Sequence, residues 1–452
     1  MDVFGSSGVR GVALAELTPS DVLAIAQAAG SEFAAEHDRV AVGRDTRETG
    51  NLFADAVASG LASVGCDVDR LGVVPTPSLQ AYCEAEGVPG VMVTASHNPP
   101  EFNGIKLCGA DGVELTRDSL EAIETRLMGE AECVSWAESG SSRHVDGANR
   151  SYREQLLAAV DRERIADAEL TVAIDPGHGA GAVTSPTIFR ELGCSVVTVN
   201  AQPDGRFPGR QPEPVQQRLG DLERLVSATD ADLGIAHDGD GDRAMFVDEH
   251  GEFIDGDAML AALAAAQLDE GDTVVSAINC SQRLVDVAEE AGASLELTPI
   301  GSTHIITAIR EFRGEGATIP VSGEGNGGVI FPEYRIARDG AFTAARFCEL
   351  LADATASELV APYDGYYNLR ENIAYDDEAE RERMIDAMAE FANNAAIDVE
   401  TTDGYRLDYG DAWVLGRPSG TEPVVRVYAE ARGQARAEET LFEMVGVVED
   451  AR

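Results

Sequence analysis

Three aspartates alternate with glycines in the segment HDGDGDR, at Asp238, Asp240 and Asp242. In an extended or tightly turned loop, this spacing can point three carboxylate oxygens at one hard cation, for which Mg²⁺ is the best candidate. The apolar runs LGIA and AMFV flank the segment, which places the acids at the end of a buried strand. A solvated acidic surface is one alternative. An EF-hand is the sharper alternative because Glu249 stands where the twelfth calcium ligand would be, but Arg243 occupies the position that needs glycine.

A second segment, TASHNPPEFNGIK, places Ser96 beside His97 and ends at Lys106. A serine needs activation before it is a nucleophile, and the Ser-His pair alone also fits an ordinary polar turn. Lys106 is the only lysine in a chain that otherwise takes its positive charge from arginine. A desolvated lysine can exchange a proton whereas arginine holds its proton, so Lys106 is a candidate general acid or base. Chance survival of one lysine is the alternative explanation.

Two further loops carry groups that could bind a phosphorylated sugar. The segment SGEGNGG offers Glu324 and Asn326 to hydroxyl groups, and its glycines permit close backbone approach. The segment RPSGTEPVVR supplies charged, hydroxyl and backbone donors suited to a phosphate dianion. Those donors belong to Arg417, Ser419, Gly420, Thr421 and Arg426. Taken alone, each segment also fits a plain hairpin or surface turn.

An α/β repeat positions the first three loops. The order of strand, polar loop, helix and second strand occurs from Arg39 to Val74, from Leu170 to Val199 and from Thr273 to Pro299. After each copy, an apolar strand ends in one of the functional loops and the chain re-enters a further strand. This pattern predicts three related mixed-sheet α/β domains that meet at the site.

The predicted architecture is α/β, with a smaller C-terminal α+β domain and a central cleft between the domains. We expect the serine loop (TASHNPPEFNGIK) in domain I (1–149) and the aspartate loop (HDGDGDR) in domain II (150–254). The sugar-binding loop (SGEGNGG) would lie in domain III (255–365). Domain IV (366–452) would carry the arginine-rich loop.

Composition narrows the class of partner. Across 452 residues, 80 acids against 34 bases give a net charge of −46, and the acids are dispersed along the chain. No basic stripe is present to meet a nucleic acid, and an anionic membrane would repel the chain, so a small molecule is the expected partner. Dispersed acids with one lysine suggest adaptation to a salt-rich, halophilic cytoplasm, in which screening removes self-repulsion.

The cysteines and the N-terminal segment indicate the compartment. Seven well-separated cysteines without a CxxC pair fit neither a disulfide framework nor a zinc site, so we expect reduced thiols. The opening segment MDVFGSSGVRG lacks the pattern of a signal peptide, and no apolar run is long enough for a membrane span. A cytoplasmic location is therefore expected.

Five segments in chain order, FGSSGVRG, TASHNP, DGDGDR, GEGNGG and RPSGTEP, resemble the α-D-phosphohexomutase superfamily over nearly the whole chain. The resemblance implies an intramolecular phosphotransferase that interconverts hexose 6-phosphate and hexose 1-phosphate. It also implies a phosphorylated Ser96, one Mg²⁺ per chain, and a hexose 1,6-bisphosphate that serves as intermediate and activator. The enzyme would be a monomer or a homodimer.

The resemblance also implies roles for individual residues. Ser96, through its phosphate, and Asp238, Asp240 and Asp242 would hold Mg²⁺. Arg10 and Arg243 would spread charge on the transferring phosphoryl group, and Lys106 and His97 would transfer protons. Glu324 and Asn326 would bind sugar hydroxyls, and the distal phosphate would be bound by Arg417, Ser419, Gly420, Thr421 and Arg426.

The identity of the sugar depends on a few departures from the superfamily pattern. Asn326, Gly327 and Gly328 stand where many members have Ser-Gly-His, and Thr303 stands at a position that is often basic. Gly420 and the sugar-binding loop are more similar to phosphoglucosamine mutases than to bacterial phosphomannomutase/phosphoglucomutases. We therefore expect a phosphoglucosamine mutase, with phosphomannomutase/phosphoglucomutase as the alternative. A Mg²⁺-dependent phosphosugar phosphatase is the alternative of a different class.

Overall fold

The computed structural model describes residues 4, 8–129, 132–419 and 423–452. The chain divides into two compact units, the first formed by Met1–Met259 with Asn326–Val360 and the second by Leu260–Gly325 with Ala361–Arg452. Among the described residues, no helix combines the length and the apolar character needed to cross a lipid bilayer.

The first unit opens with a six-stranded mixed sheet. Its elements are β1 (Val9–Val12), α1 (Pro19–Phe33), β2 (Arg39–Arg44), α2 (Gly50–Ser63), β3 (Asp67–Val73), α3 (Thr76–Glu86), β4 (Gly90–Val93), β5 (Phe102–Cys108), α4 (Arg117–Leu127) and β6 (Ser142–His144). The strand order is β1-β5-β4-β2-β3-β6. Strands β2, β3, β4 and β6 are parallel, and β5 runs antiparallel to β4 and β1. Valines on β2 and β4 are buried, as expected for strands covered on both faces.

The same unit contains a second mixed sheet. Its elements are α5 (Ala148–Ala158), α6 (Arg162–Asp167), β7 (Thr171–Asp175), α7 (Ser185–Glu191), β8 (Ser195–Thr198), α8 (Gly220–Thr229), β9 (Leu233–His237), β10 (Ala244–Val247) and β11 (Phe253–Ile254). The strand order is β11-β10-β9-β7-β8. Strands β7, β8 and β9 are parallel, whereas β10 is antiparallel to both of its neighbours.

The chain then passes into the second unit and returns. After α9 (Gly256–Ala265), the elements are β12 (Thr273–Ala277), α10 (Gln282–Ala291), β13 (Ser294–Thr298), α11 (Ser302–Gly314) and β14 (Ser322–Glu324), with β12 parallel to β13 and β14. Back in the first unit, β15 (Gly328–Phe331) and β16 (Arg335–Arg338) form an antiparallel pair, followed by α12 (Gly340–Leu350) and α13 (Ala356–Val360).

The second unit ends with an antiparallel sheet covered by two helices. Its elements are β17 (Tyr367–Ala374), α14 (Glu378–Asn394), β18 (Asp398–Glu400), β19 (Tyr405–Asp408), β20 (Ala412–Pro418), β21 (Val424–Ala431) and α15 (Gln434–Glu449). The strand order is β17-β21-β20-β19-β18. Val414, Val425 and Val427 pack with methionines of α14 and α15 in one apolar core.

The predicted repeat is confirmed in the order of the elements. The three copies correspond to β2–α2–β3, β7–α7–β8 and β12–α10–β13. Each copy is followed by a strand that ends in a functional loop, namely β4, β9 and β14, and the loop leads into β5, β10 and β15. The predicted class of three related α/β domains with a C-terminal α+β domain is thus confirmed.

Candidate active site

The three aspartates lie on the loop between β9 and β10. One carboxylate oxygen from each of Asp238, Asp240 and Asp242 lies within 4.8 Å of the others, and all three side chains are buried. The loop joins two antiparallel strands, which confirms the strand-like flanks and excludes the helix-loop-helix arrangement of an EF-hand. The sequence therefore concentrates three carboxylates at one end of a core hairpin.

One oxygen of Asp240 and one oxygen of Asp242 each accept two hydrogen bonds. The donors are Thr76, Lys106 and Arg338. Asp240 Oδ2 accepts hydrogen bonds from Thr76 Oγ1 (2.6 Å) and Lys106 Nζ (2.8 Å). Asp242 Oδ2 accepts from Lys106 Nζ (2.9 Å) and Arg338 Nη2 (2.7 Å). These donors come from α3, β5 and β16, so three separate elements fix the orientation of the two carboxylates.

The opposite oxygens of the same two carboxylates are free to bind a cation. Asp240 Oδ1 and Asp242 Oδ1 are buried and accept no hydrogen bond from any residue that the structure describes. A buried carboxylate oxygen without a donor is costly unless an ion or water satisfies it. Oxygen donors are also the ligands that a hard divalent cation prefers. The residues present therefore fit a Mg²⁺ site.

Burial and pairing act in opposite directions on the pKa values of this cluster. Burial, together with the charges of Asp240 and Asp242, raises the pKa of Asp238 well above its usual value. Burial acts in the same direction on Asp240, but the ammonium of Lys106 brings the pKa of Asp240 well below its usual value. For Asp242, burial is again the largest influence and opposes ionisation, but the charges of Arg338, Lys106 and Arg243 together lower the pKa. A bound dication would favour the charged form of all three.

Ser96 faces the aspartate cluster. Its hydroxyl donates a hydrogen bond of 2.7 Å to Asp238 Oδ2, and its Oγ lies 3.4 Å from His97 Nδ1. The side chain is fully buried, and its backbone is left-handed, with φ of +49°. A residue other than glycine loses about 1–2 kcal/mol in this region, so the surrounding structure must hold the loop in place.

The guanidinium of Arg47 donates hydrogen bonds to four backbone carbonyl oxygens of the serine loop. Nη2 donates to the carbonyl oxygens of Ser96 (2.9 Å) and Asn98 (2.7 Å). Nη1 donates to those of Pro99 (2.6 Å) and Phe102 (2.9 Å). The side chain of Arg47 is fully buried, so these hydrogen bonds form away from competing water. Arg47 therefore fixes the loop that presents Ser96.

Arg47 is itself fixed by neighbours from two parts of the first unit. Its Nε pairs with Asp45 Oδ2 at 3.0 Å, and its guanidinium lies 5.3 Å from the centre of the Phe207 ring. Thr94 donates to the same Asp45 oxygen (2.7 Å) and accepts the backbone N–H of Ser96 (2.9 Å). The buried charge is therefore paired and the serine loop is connected to the end of β2.

A close backbone approach joins the serine loop to the aspartate loop. A Cβ placed on Gly239 would lie 2.5 Å from the carbonyl oxygen of Ser96, closer than real side chains come. Only glycine permits this approach without a shift of one loop. Gly239 is therefore required for the packing of the two loops, in addition to its part in spacing the aspartates along the sequence.

Two arginines add positive charge near Ser96. Arg10, on β1, donates from Nη1 to Asn98 Oδ1 at 2.8 Å, and burial lowers the pKa of its guanidinium to about 10, which leaves it charged. Arg243 follows the aspartate loop and is largely buried. The charge of Arg243, together with burial and Arg10, holds the pKa of His97 well below its usual range, so the ring is neutral.

Asn326 lies on a loop that contacts the end of the aspartate hairpin. The backbone N–H of Ala244 donates to the carbonyl oxygen of Gly327 at 3.1 Å, and Asn326 Oδ1 accepts from the N–H of Gly328 at 3.0 Å. The first unit contains Asn326, and it brings together the predicted residues Ser96, His97, Lys106, Arg10, Arg243, Asp238, Asp240 and Asp242.

The remaining predicted residues belong to the second unit. Glu324 ends β14. Arg417 and Arg426 are partners in the β20–β21 ladder, and Arg417 Nε lies 2.9 Å from Asp403 Oδ2. Ser419 follows β20, and its backbone N–H donates to the carbonyl oxygen of Val424 at 2.8 Å. Gly420 and Thr421 lie outside the described residues.

Sequence reasoning missed three residues that organise the site, Arg47, Thr76 and Arg338. Arg47 follows β2 in the segment GRDTR, and Thr76 follows β3 in VPTP. Arg338 ends β16 in RIARDG. Each stands where a strand ends, which is where polar residues of an α/β protein commonly serve a site. Position at a strand end is the signal that could have identified them.

Four family profiles match successive parts of the chain. Their descriptions are Phosphoglucomutase/phosphomannomutase, alpha/beta/alpha domain I at residues 1–132, domain II at 150–251, domain III at 255–366 and the C-terminal domain at 372–446. Together they cover most of the chain.

Named relatives and a solved structure are similar over the full length. A Thermococcus kodakarensis protein named "Phosphoglucomutase/phosphomannomutase" is 40% identical over 460 residues, covering 99% of this chain and 99% of the relative. A Methanopyrus kandleri protein named "Probable phosphoglucosamine mutase" is 40% identical over 452 residues, covering 98% of this chain and 97% of the relative. The crystal structure of a phosphoglucomutase/phosphomannomutase family protein from Burkholderia thailandensis matches with a TM-score of 0.87 at 29% identity, covering 100% of this chain and 97% of that one.

Proposed function

Because this chain belongs to the phosphoglucomutase/phosphomannomutase family, within the α-D-phosphohexomutase superfamily, we propose that it interconverts hexose 6-phosphates and hexose 1-phosphates through a phosphoserine at Ser96. The family is one of isomerases that act as intramolecular phosphotransferases. The observation that carries the role of Ser96 is its hydroxyl, 2.7 Å from a carboxylate of the aspartate cluster. The names of the relatives give no support to the phosphatase alternative.

We assign Mg²⁺ to the aspartate cluster. The ligands would be Asp238, Asp240, Asp242 and an oxygen of the phosphate on Ser96, and the two bare Oδ1 atoms support this set. When bound, the ion neutralises charge on the phosphoryl oxygens and favours attack on phosphorus.

The chain's own residues would carry the transfer step. The bond between phosphorus and Ser96 Oγ breaks while a sugar hydroxyl oxygen bonds to phosphorus, and the hydroxyl proton must leave. We assign proton transfer to His97, whose Nδ1 lies 3.4 Å from Ser96 Oγ, and to Lys106, which pairs with Asp240 in the cluster that Ser96 faces. Arg10 and Arg243 would stabilise charge on the phosphoryl oxygens. In the second half of the cycle, Ser96 takes the other phosphate from the hexose 1,6-bisphosphate.

The substrate would be held through its hydroxyls and its second phosphate. We propose Glu324 and Asn326 for the hydroxyls, because carboxylate and amide groups are suitable hydrogen-bond partners for them. Arg417, Ser419 and Arg426, with Gly420 and Thr421, would bind the phosphate that is not reacting. That phosphate is on the sugar's C6 in one half-reaction and on C1 in the other, so one set of donors must accept both orientations.

We propose glucosamine phosphate as the preferred substrate. Support comes from Gly420, from the sugar-binding loop and from the relative in Methanopyrus kandleri, whereas the relative in Thermococcus kodakarensis favours the phosphomannomutase/phosphoglucomutase alternative. Comparing kcat/KM for the 1-phosphates of glucosamine, glucose and mannose tests this choice. A higher kcat/KM with glucose or mannose 1-phosphate would transfer the assignment to the alternative.

Product analysis tests the reaction class. A mutase is stimulated by hexose 1,6-bisphosphate and yields the isomeric phosphosugar, whereas a phosphatase accumulates inorganic phosphate. Accumulation of inorganic phosphate at the rate of substrate loss would contradict the mutase proposal. A cytoplasmic location and a monomeric or homodimeric state stay predictions, and sedimentation equilibrium of the purified enzyme tests the oligomeric state.

A further inference from the structure

The donors around Asp240 and Asp242 leave each carboxylate with one oxygen for a cation. A carboxylate oxygen offers two lone pairs. Asp240 Oδ2 uses both, for Thr76 and Lys106, and Asp242 Oδ2 uses both, for Lys106 and Arg338. Only the Oδ1 atom of each side chain remains, and both of those atoms are buried without a donor among the described residues.

We propose that Thr76, Lys106 and Arg338 select the size of the cation by holding Asp240 and Asp242 in a one-oxygen binding mode. The inference rests on the proposed metal site and adds to it a reason for preferring Mg²⁺ over Ca²⁺. It assigns Thr76 and Arg338 as specificity-determining residues that act through the aspartates.

The two cations differ in what they require from carboxylates. Ca²⁺ takes about six to eight oxygens and often uses both oxygens of one carboxylate, whereas Mg²⁺ takes about six in a tight octahedron and accepts single oxygens with water. Two aspartates that each offer only one oxygen suit the smaller ion. A second oxygen from Asp240 or Asp242 would become available only if its donors were removed.

The donors are placed so that they resist rearrangement. Thr76, Lys106 and Arg338 are 4%, 5% and 4% exposed, so water cannot readily replace them. Thr76 is held twice, because its backbone N–H also donates to the carbonyl oxygen of Asp240 at 2.9 Å. Arg338 Nη2 lies 3.6 Å from Glu114, a second carboxylate that fixes its direction. A cation that needed both oxygens would have to break buried, charge-assisted hydrogen bonds.

Two substitutions release the second oxygen in different ways. Thr76→Val keeps the shape of the side chain and removes one donor to Asp240. Arg338→Met removes one donor to Asp242 together with a positive charge. Matched controls are Thr440→Val, a buried threonine on α15, and Arg335→Met, a buried arginine on β16 that pairs with Glu84. The double variant Thr76→Val/Arg338→Met combines both effects.

Isothermal titration of the unphosphorylated enzyme with Mg²⁺ alone and with Ca²⁺ alone gives the ratio of Kd for Ca²⁺ to Kd for Mg²⁺. We expect this ratio to fall by about tenfold in the double variant and by a smaller factor in each single variant, with both controls at the wild-type ratio. Using the ratio removes the general gain in cation affinity that loss of the Arg338 charge produces. Crystals of the Ca²⁺-bound double variant should show both oxygens of Asp240 or Asp242 on the ion.

The outcomes separate this inference from the metal site on which it rests. An unchanged ratio in Thr76→Val and in the double variant would overturn the inference, as would two-oxygen binding by Asp240 and Asp242 in the Ca²⁺-bound wild type. If the double variant does not fold, Thr76→Val and the wild-type Ca²⁺ complex still decide the matter. If Asp240→Asn binds Mg²⁺ with the same Kd as the wild type, the metal site itself is refuted.

Discussion

Arg47 donates a hydrogen bond of 2.9 Å to the carbonyl oxygen of Ser96, from a guanidinium that is fully buried. The two residues are 49 positions apart, and the hydrogen bond fixes the backbone of Ser96 in its left-handed conformation. The same guanidinium binds three further carbonyls of the loop. We therefore propose that Arg47 is a positioning residue, which would act on the reaction through the loop that carries Ser96.

Arg47→Lys should lower kcat and leave KM within a few fold of wild type. An ammonium can keep the charge near Asp45 but cannot reach four carbonyls, so Ser96 would lose its fixed position. Misplacement of a reacting group by about 1 Å can cost roughly 10²-fold in rate. Steady-state kinetics on both substrate directions measures kcat and KM separately.

Arg406→Lys is the matched control for that substitution. Arg406 is also buried, donates to the carbonyls of Ile278 and Cys280 and lies over the ring of Trp413. Both variants should lose thermal stability to a similar degree, but only Arg47→Lys should lose kcat out of proportion to Tm. Equal losses of kcat in the two variants would mean that Arg47 contributes only to the stability of the fold.

Ser96→Ala should lower turnover by several orders of magnitude while the fold persists, because Ser96 would carry the covalent intermediate. Intact-mass measurement of the active wild type should show one added phosphate, and peptide mapping should place it on Ser96. Ser78→Ala serves as a control, since Ser78 is equally buried but bonds to Asn149. Normal activity in Ser96→Ala would end the proposed mechanism.

Asp240→Asn should weaken Mg²⁺ binding by at least roughly tenfold, since a neutral amide is a poorer ligand for a hard cation. Titration calorimetry measures the Kd directly, and phosphoryl transfer should slow in parallel. Asp69→Asn removes a carboxylate that is also buried but pairs with Arg143 and Arg39, so it should leave the Kd unchanged. Added Ca²⁺ should inhibit the wild type. Full activity after exhaustive chelation would show that the cluster needs no metal.

The sequence predicted the loops of the site better than the contacts between them. The segment HDGDGDR predicts a cation site because its three aspartates are close together in the sequence. Arg338 is different, because it reaches Asp242 across 96 positions, and nothing in local spacing selects it from 33 arginines. Lys106 stood out by its rarity, yet its pairing with Asp240 and Asp242 required the fold. Short-range patterns reveal ligands, whereas the residues that orient them depend on tertiary packing.

High salt should stabilise this protein. A net charge of −46 produces self-repulsion that weakens as the Debye length falls from about 10 Å at 0.1 M to about 3 Å at 1 M ionic strength. The midpoint of thermal unfolding should therefore rise with KCl across this range. Sucrose at equal osmolality is the control, because it excludes itself from the surface without screening charge. A midpoint that KCl leaves unchanged or lowers would contradict the salt-adaptation hypothesis.

Lys106 donates to Asp240 at 2.8 Å and to Asp242 at 2.9 Å, so its contribution to catalysis could come from holding the aspartates or from transferring a proton. Lys106→Arg separates the two roles, because a guanidinium still pairs with carboxylates but holds its proton too tightly to share it. If Lys106 transfers a proton, kcat should fall by ~10² to 10⁴-fold while KM changes little.

The Kd for Mg²⁺, measured on the same Lys106→Arg protein, identifies the cause of any loss. A fall in kcat at an unchanged Kd means that the aspartates are still organised and that the proton is what is missing. A fall in kcat together with a weaker Kd means that Lys106 acts through Asp240 and Asp242. Arg338→Lys is the matched control, because it exchanges the other cation at Asp242 and should leave proton transfer intact. A Lys106→Arg variant within a few fold of wild type would remove Lys106 from proton transfer and leave His97, whose Nδ1 lies 3.4 Å from Ser96 Oγ, as the proposed proton carrier.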